Sequence, residues 1–93
     1  MAYIRVTHTR HDPARDEEVA QAVAASVAVI AQLPGFQHST AAVDRASGKG
    51  IGITTFDTLA HAQFSRDALR SGVMAQLQAA GVTAAAPEFY EVV

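Results

Sequence analysis

QHSTAAVDRASGKGIGITTF, residues 37–56, decides the fold. QHSTAAVD is a run of small and β-branched residues, RASGKG supplies turn chemistry, and IGITTF is β-branched again, so the stretch reads as a β-hairpin. On both sides the periodicity becomes helical. Upstream, HDPARDEE opens a helix with Asp12 as N-cap, Pro13 at the first helical position and Asp16, Glu17 and Glu18 at the positive end of the dipole. Val19, Val23, Val27, Ile30 and Leu33 follow at steps of three and four and build one apolar stripe, which Leu33-Pro34-Gly35 terminates. Downstream, Asp57 or Thr58 caps a second helix that runs to about Arg70. Ser71-Gly72 interrupts it, and a shorter helical turn over 73–80 ends at Gly81.

Two strands close the pattern, one beginning with YIRV at Tyr3 and one in the terminal PEFYEVV. The order strand, helix, strand, strand, helix, strand predicts an α+β, ferredoxin-like βαββαβ fold: an antiparallel four-stranded sheet with both helices on one face. Along the first strand Ile4, Val6 and His8 point one way and Tyr3, Arg5, Thr7 and Thr9 the other, and apolar parity assigns the Ile4 side to the helices. The opposite face, with Tyr3, Thr7, Val43 and Tyr90, is too apolar and aromatic to remain solvated, which predicts a homodimer.

A length of 93 residues favours a single domain over 1–93, with one modest core. Apolar residues make up 49% of the chain and charged residues 17%, a globular composition, and the net charge of −2 gives no reason to expect nucleic acid or an anionic membrane as partner. The absence of cysteine excludes disulfides, cysteine-ligated zinc and iron–sulfur clusters. The longest apolar run, AVAASVAVIA, is far shorter than the ~20 residues that cross a bilayer, so no membrane span is expected. With strand character from Tyr3 there is no room for a targeting segment, and the expected location is cytoplasmic.

PGF after the first helix, the hairpin, and then the aromatic, cap and Ala60 of FDTLA resemble the antibiotic biosynthesis monooxygenase-like family of dimeric α/β barrels. The resemblance spans the whole chain and specifies fold more than chemistry, because one fold hosts many activities. It implies two sheets packed face to face in a dimer and an activity such as oxidation of polycyclic aromatics or quinols without metal or flavin. Family members that cleave haem use a Trp before the second helix and an iron-ligating His on the following turn. Here the first position is Phe56 and the second falls near Gln78, so neither haem nor any other cofactor is expected. The family's polar pocket residue on the first strand, often Asn, corresponds to His8.

Counted at 100° per residue, His61 lies between Phe64 and Ala68 on one side and Ser65 and Leu69 on the other, and is expected to face inward. With His8 on the face assigned to the helices, both imidazoles approach one cleft, and either is a candidate catalytic base. Phe64, Phe56, His38 and Val6 are the candidate substrate-binding residues. The competing role for a buried histidine is a neutral, hydrogen-bonded core residue. Two histidines without a third ligand do not make a zinc site, so no metal is expected. His11 reads as a solvated residue ahead of the N-cap. Tyr3, Tyr90 and Arg5 read as interface area and hydrogen bonds, although a tyrosine can donate a proton and an arginine can hold an anionic substrate. GKGIG lacks the Lys-Ser/Thr ending and the following helix of a phosphate loop.

Two functions follow. One is a cofactor-independent monooxygenase acting on a small aromatic, phenolic or quinol-type compound, with His61 or His8 taking a proton so that the electron-rich anion reacts with oxygen. The other is a noncatalytic dimeric module that binds a small apolar or aromatic ligand, or serves interaction alone. A roomy cleft beside the imidazoles favours the first, and a cleft filled by Phe64, Leu59 and Met74 favours the second.

Overall fold

The first strand, β1 (Tyr3–Arg10), is the middle of the sheet. β3 (Lys49–Phe56) pairs with it antiparallel along its whole length, and β2 (Phe36–Asp44) pairs with β3 to form one edge. The computed structural model describes residues 1–70 and 72–93, so the interruption expected at Ser71 lies outside the described residues. The last strand comes in two pieces, β4 (Thr83–Ala84) and β5 (Glu88–Glu91), both antiparallel to β1. Thr9 faces Ala84 while Val6 faces Glu88, so residues 85–87 stand opposite residues 7–8 and form a bulge. Pro87, which has no N–H to give to a ladder, sits there. The ferredoxin-like order β2-β3-β1-β4/β5 holds, with its fourth position broken in two.

Asp12 accepts from the Ala14 N–H at 3.0 Å and caps a single 3₁₀ turn (Pro13–Arg15), which leads into α1 (Asp16–Ile30). The Thr58 hydroxyl accepts from the His61 N–H at 3.1 Å and caps α2 (Leu59–Leu69), and α3 (Gly72–Ala79) follows. Tight turns join these elements at glycine: Gly48 has φ +78°, and a Cβ there would run into the His11 carbonyl, whose own N–H donates to Gly48 O at 2.8 Å.

Both faces of the central strand are the reverse of the apolar-parity expectation. Arg5 lies under α2 and Thr7 and Thr9 lie under the helical layer, whereas Ile4, Val6 and His8 point to the uncovered side. The cross-strand partners obey the same division. Rows Arg5–Thr54–Ser39, Thr7–Gly52–Ala41 and Thr9–Gly50–Val43 face the helices, and rows such as Val6–Ile53–Thr40 face away. Tyr3, Thr7 and Val43 therefore belong to the helix side, and of the four residues expected on the uncovered face only Tyr90 is there. α2 is also rotated by one residue: Ala62, Ser65 and Leu69 are buried, His61 is half-buried and Phe64 is 50% exposed. The small side chains of Ala62 and Ser65 let the helix axis approach the sheet, which a phenylalanine in their place would prevent.

The dry part of the interior is small. Ile30, Leu69 and Val73 pack with Leu33, Phe36 and Leu77 where the three helices meet, and Phe36 meets the fully buried Phe56 edge to face at 6.5 Å. Beyond this plug the helices stand off the sheet.

Candidate functional site

The standing-off leaves a cleft of about 590 Å³ between the helical layer and the sheet, within the range of about 300–1,000 Å³ that holds small organic ligands. Its floor is the pair of rows Arg5–Thr54–Ser39 and Thr7–Gly52–Ala41. Its roof is apolar: the stripe Val19, Val23, Val27 and Ile30 of α1, with Val73 and Leu77 of α3. The stripe read from the sequence thus does face the sheet, but along most of its length it faces a space.

Gly52 makes the floor flat. It sits in the interior of β3, where a glycine costs strand stability, and a Cβ built on it would meet nothing within 4 Å. Packing gives no reason for a missing side chain there. The space it leaves belongs to the cleft.

Arg5, Ser39 and Thr54 form a polar cluster at one end. Ser39 Oγ and Thr54 Oγ1 are 3.1 Å apart, and Arg5 lies beside them in the same row. Arg5 is only 8% exposed; its Nη1 donates to Ser65 Oγ at 2.9 Å, and that hydroxyl donates to the Ala62 carbonyl at 2.5 Å. Its Nε is buried without any acceptor, and among the described residues no carboxylate pairs with it. Burial pushes the guanidinium below its ordinary pKa, the direction expected when a cation loses water without gaining a counter-charge. Arg66 and Arg70 also line the cleft, both exposed and both leaning on Asp67, at 3.2 and 3.6 Å. Arg66 in addition lies 5.8 Å from the centre of the Phe89 ring.

None of the six candidate catalytic and substrate-binding residues, His61, His8, Phe64, Phe56, His38 and Val6, is among the described residues that line this cleft, whereas Arg5, read as an interface residue able to hold an anion, is. His8 is on the uncovered face of the sheet, 58% exposed, with its Nε2 3.5 Å from Glu88 Oε1. Val6 shares that face. A register shift between Phe36 and His38 turns His38 to the same side, where its Nε2 lies 3.1 Å from Thr40 Oγ1, so it parts from Phe36 rather than joining it. Phe64 is on the outer side of α2, and Phe56 is consumed by the core plug. His61 is 39% exposed at the start of α2, its ring Nδ1 donating to Asp57 Oδ1 at 2.6 Å, a bond that holds the Asp57 carboxyl below its usual range. The shared cleft for His61 and His8 is therefore corrected: they lie on different layers.

His11, expected to be solvated, is buried, its side chain 1% exposed and its Nε2 donating to Asp16 Oδ1 at 2.6 Å. It borders a second, smaller cavity of about 440 Å³ between α1 and β2. Two features of the main cleft had a readable signal: a glycine inside the β-branched run IGIT, and a charged residue in a strand at a position whose parity neighbours are Thr7 and Thr9. Ser65 had none, because its role depends on the rotation of α2.

No protein-family model and no curated protein matches the chain. Solved structures do. It is similar to SnoaB, a cofactor-independent oxygenase from Streptomyces nogalater, with 19% identity and a TM-score of 0.75 over 99% of this chain and 93% of that one. It is similar to a monooxygenase from the gene ActVA-Orf6 of Streptomyces coelicolor, solved in complex with nanaomycin D, with 16% identity and a TM-score of 0.71 over 99% and 88%. A Bordetella bronchiseptica structure with an antibiotic biosynthesis monooxygenase designation superposes with a TM-score of 0.77 at 10% identity, over 99% and 97%. The chain thus has the α+β, ferredoxin-like fold of the antibiotic biosynthesis monooxygenase structures, as the FDTLA region implied. At these identities the likeness establishes the fold, and the chemistry has to be argued from the site. No helix among the described residues is long and apolar enough to cross a membrane.

Proposed function

We propose that the protein is a cofactor-independent monooxygenase that oxidises a small phenolic or quinol-type aromatic in the cleft between sheet and helices. The observation that carries this reading is the cleft itself: an apolar slot of about 590 Å³ with polar groups at one end, in a fold whose solved examples include cofactor-independent oxygenases. An electron-rich aromatic anion needs no cofactor to pass an electron to oxygen. Recombination gives a peroxide, and loss of water from a CH–OOH centre leaves one oxygen in the product as a carbonyl and releases the other as water. The protein supplies orientation, a dry environment and polar partners for the developing charge. In this reading Arg5, Thr54 and Ser39 touch the oxygen-bearing edge of the substrate, and the valines of α1 hold its ring. His61 and His8 lie outside the cleft and are not used.

Oxygen uptake with anthrone, 1-naphthol and substituted hydroquinones tests the proposal. Turnover that disappears when Gly52→Leu fills the floor supports it; no uptake with any of these compounds overturns it. One observation favours the second reading, a noncatalytic binding module: among the described residues lining the cleft there is neither imidazole nor carboxylate to take a proton. Saturable binding of the same compounds without oxygen uptake would select that module.

The reading includes a homodimer formed through the uncovered face of the sheet. Ile4, Val6, Ile51 and Ile53 alternate onto that face, and among the described residues the helices pack on the other. Sedimentation equilibrium at micromolar concentration is expected to give twice the mass of the chain, and a monomer there would overturn this part.

A further inference from the structure

The charges around the cleft have one sign. Arg5, Arg66 and Arg70 line it and no aspartate or glutamate does among the described residues, in a chain whose net charge is −2. Arg66 and Arg70 are wet and share Asp67, so their field inside the cleft is weak. Arg5 is a different case. A guanidinium offers five N–H donors, and this one is buried with a single neutral hydroxyl at Nη1 and a bare Nε. Taking such a cation out of water without a counter-charge is costly, and a buried arginine is ordinarily paired. It does not escape by losing its proton, because arginine stays charged in proteins.

The surroundings of Arg5 do not explain that cost structurally. Ser65 is already held by the Ala62 carbonyl, and α2 has small residues enough to pack without the ion. What the guanidinium does border is the cleft, at the end where Ser39 and Thr54 add two hydroxyls, opposite a floor left open at Gly52. A lining without imidazole or carboxylate among the described residues points the same way: it offers no such group to create an anion by proton removal, and one well placed to keep an anion that arrives.

We propose that the cleft selects aromatic monoanions, with Arg5 receiving the anionic oxygen of a carboxylate, phenolate or enolate while the ring lies over Gly52 beneath Val23 and Val27. This rests on reading the cleft as the ligand site and is independent of any reaction with oxygen. The missing counter-charge of Arg5 is supplied by the ligand, and its rigid fork gives an oxygen pair a defined orientation.

The test compares two ligands of one shape, 2-naphthoate and 2-naphthamide, by titration calorimetry on the full chain at neutral pH. The wild-type protein is expected to prefer the carboxylate by about 10-fold or more, the usual advantage of a hydrogen bond to a charged group. Arg5→Gln should bring the ratio close to one, with the larger loss on 2-naphthoate, and Arg5→Lys should restore part of the preference. Equal wild-type affinities overturn the inference without any variant. So does the absence of saturable 2-naphthoate binding, or a preference that survives in Arg5→Gln. A protein that prefers 2-naphthoate but never takes up oxygen keeps this inference and loses the oxygenase; one that oxidises anthrone without preferring the anion does the reverse.

Discussion

Arg5 Nη1 donates to Ser65 Oγ at 2.9 Å across the boundary between sheet and α2, and this is the only hydrogen bond of its side chain among the described residues. The pair is unequal. Removing the hydroxyl leaves a buried cation with nothing, whereas removing the cation leaves a serine still bonded to Ala62 O. Ser65→Ala is therefore expected to lower stability by about 1–3 kcal/mol, and Arg5→Met, an apolar chain of similar length, to leave it unchanged or raise it. Urea unfolding of both variants checks the order. A larger loss for Arg5→Met than for Ser65→Ala would make the guanidinium a structural element.

Gly52 has room for a side chain, and its backbone is ordinary strand, since positive φ among the described residues is confined to Gly35, Gly48 and Gly81. Replacing it with valine should stabilise the fold by about 0.5–1 kcal/mol, the usual cost of glycine inside a regular element, while its methyl groups occupy the cleft floor. The expected pairing is a higher melting temperature with weakened binding of any ligand in the cleft. A lower melting temperature would show that the floor has no free space.

The same inversion that makes the cleft also hid it from the sequence. The order of elements, the caps at Asp12 and Thr58 and the α1 stripe were legible, because turn chemistry and helical period are local. The facing of β1 was not. Apolar parity puts Ile4 and Val6 inside, but here the side under the helices encloses a polar-ended cleft and carries Arg5, Thr7 and Thr9, while the isoleucines wait on the uncovered face. Parity reports which face carries the apolar side chains, and it does not say on which face the helices pack. In α2 the burial of Ala62 and Ser65 over Phe64 was lost for a related reason, since close approach selects small residues and hydrophobicity scales reward large ones.

His11 Nε2 donates to Asp16 Oδ1 at 2.6 Å and ties the end of β1 to the first turn of α1, with Arg45 of the hairpin turn 3.8 Å from the other carboxylate oxygen. Arg45 is solvated and is expected to contribute little, so Arg45→Ala should change stability by less than about 0.5 kcal/mol. Asp16→Ala strands the buried imidazole N–H and should cost about 1–3 kcal/mol. Native-state hydrogen exchange should then show faster exchange at the His11 N–H, whose acceptor Gly48 O is held from the same corner. Equal losses for the two variants would contradict this division.

Asp57 and His61 clasp the turn that leads out of α1. Gly35, at φ +76°, accepts at its carbonyl from the Asp57 N–H at 2.9 Å, and any Cβ on it would strike the Asp57 carboxylate and the His61 ring. Gly35→Ala is therefore expected to cost about 1–3 kcal/mol, from backbone strain with the clash added to it. The His61 bond holds the Asp57 carboxyl below its ordinary pKa in the folded state. A depressed carboxyl pKa contributes stability that is present above the unfolded-state value and disappears as the pH falls through the folded-state value. The His61→Leu protein should show the Asp57 carboxyl titrating nearer the ordinary range by NMR, and its acid unfolding should be less steep between the folded and unfolded values. If the Asp57 titration is unmoved in that variant, the imidazole is not what lowers it, and His61 is left without a structural role at this turn.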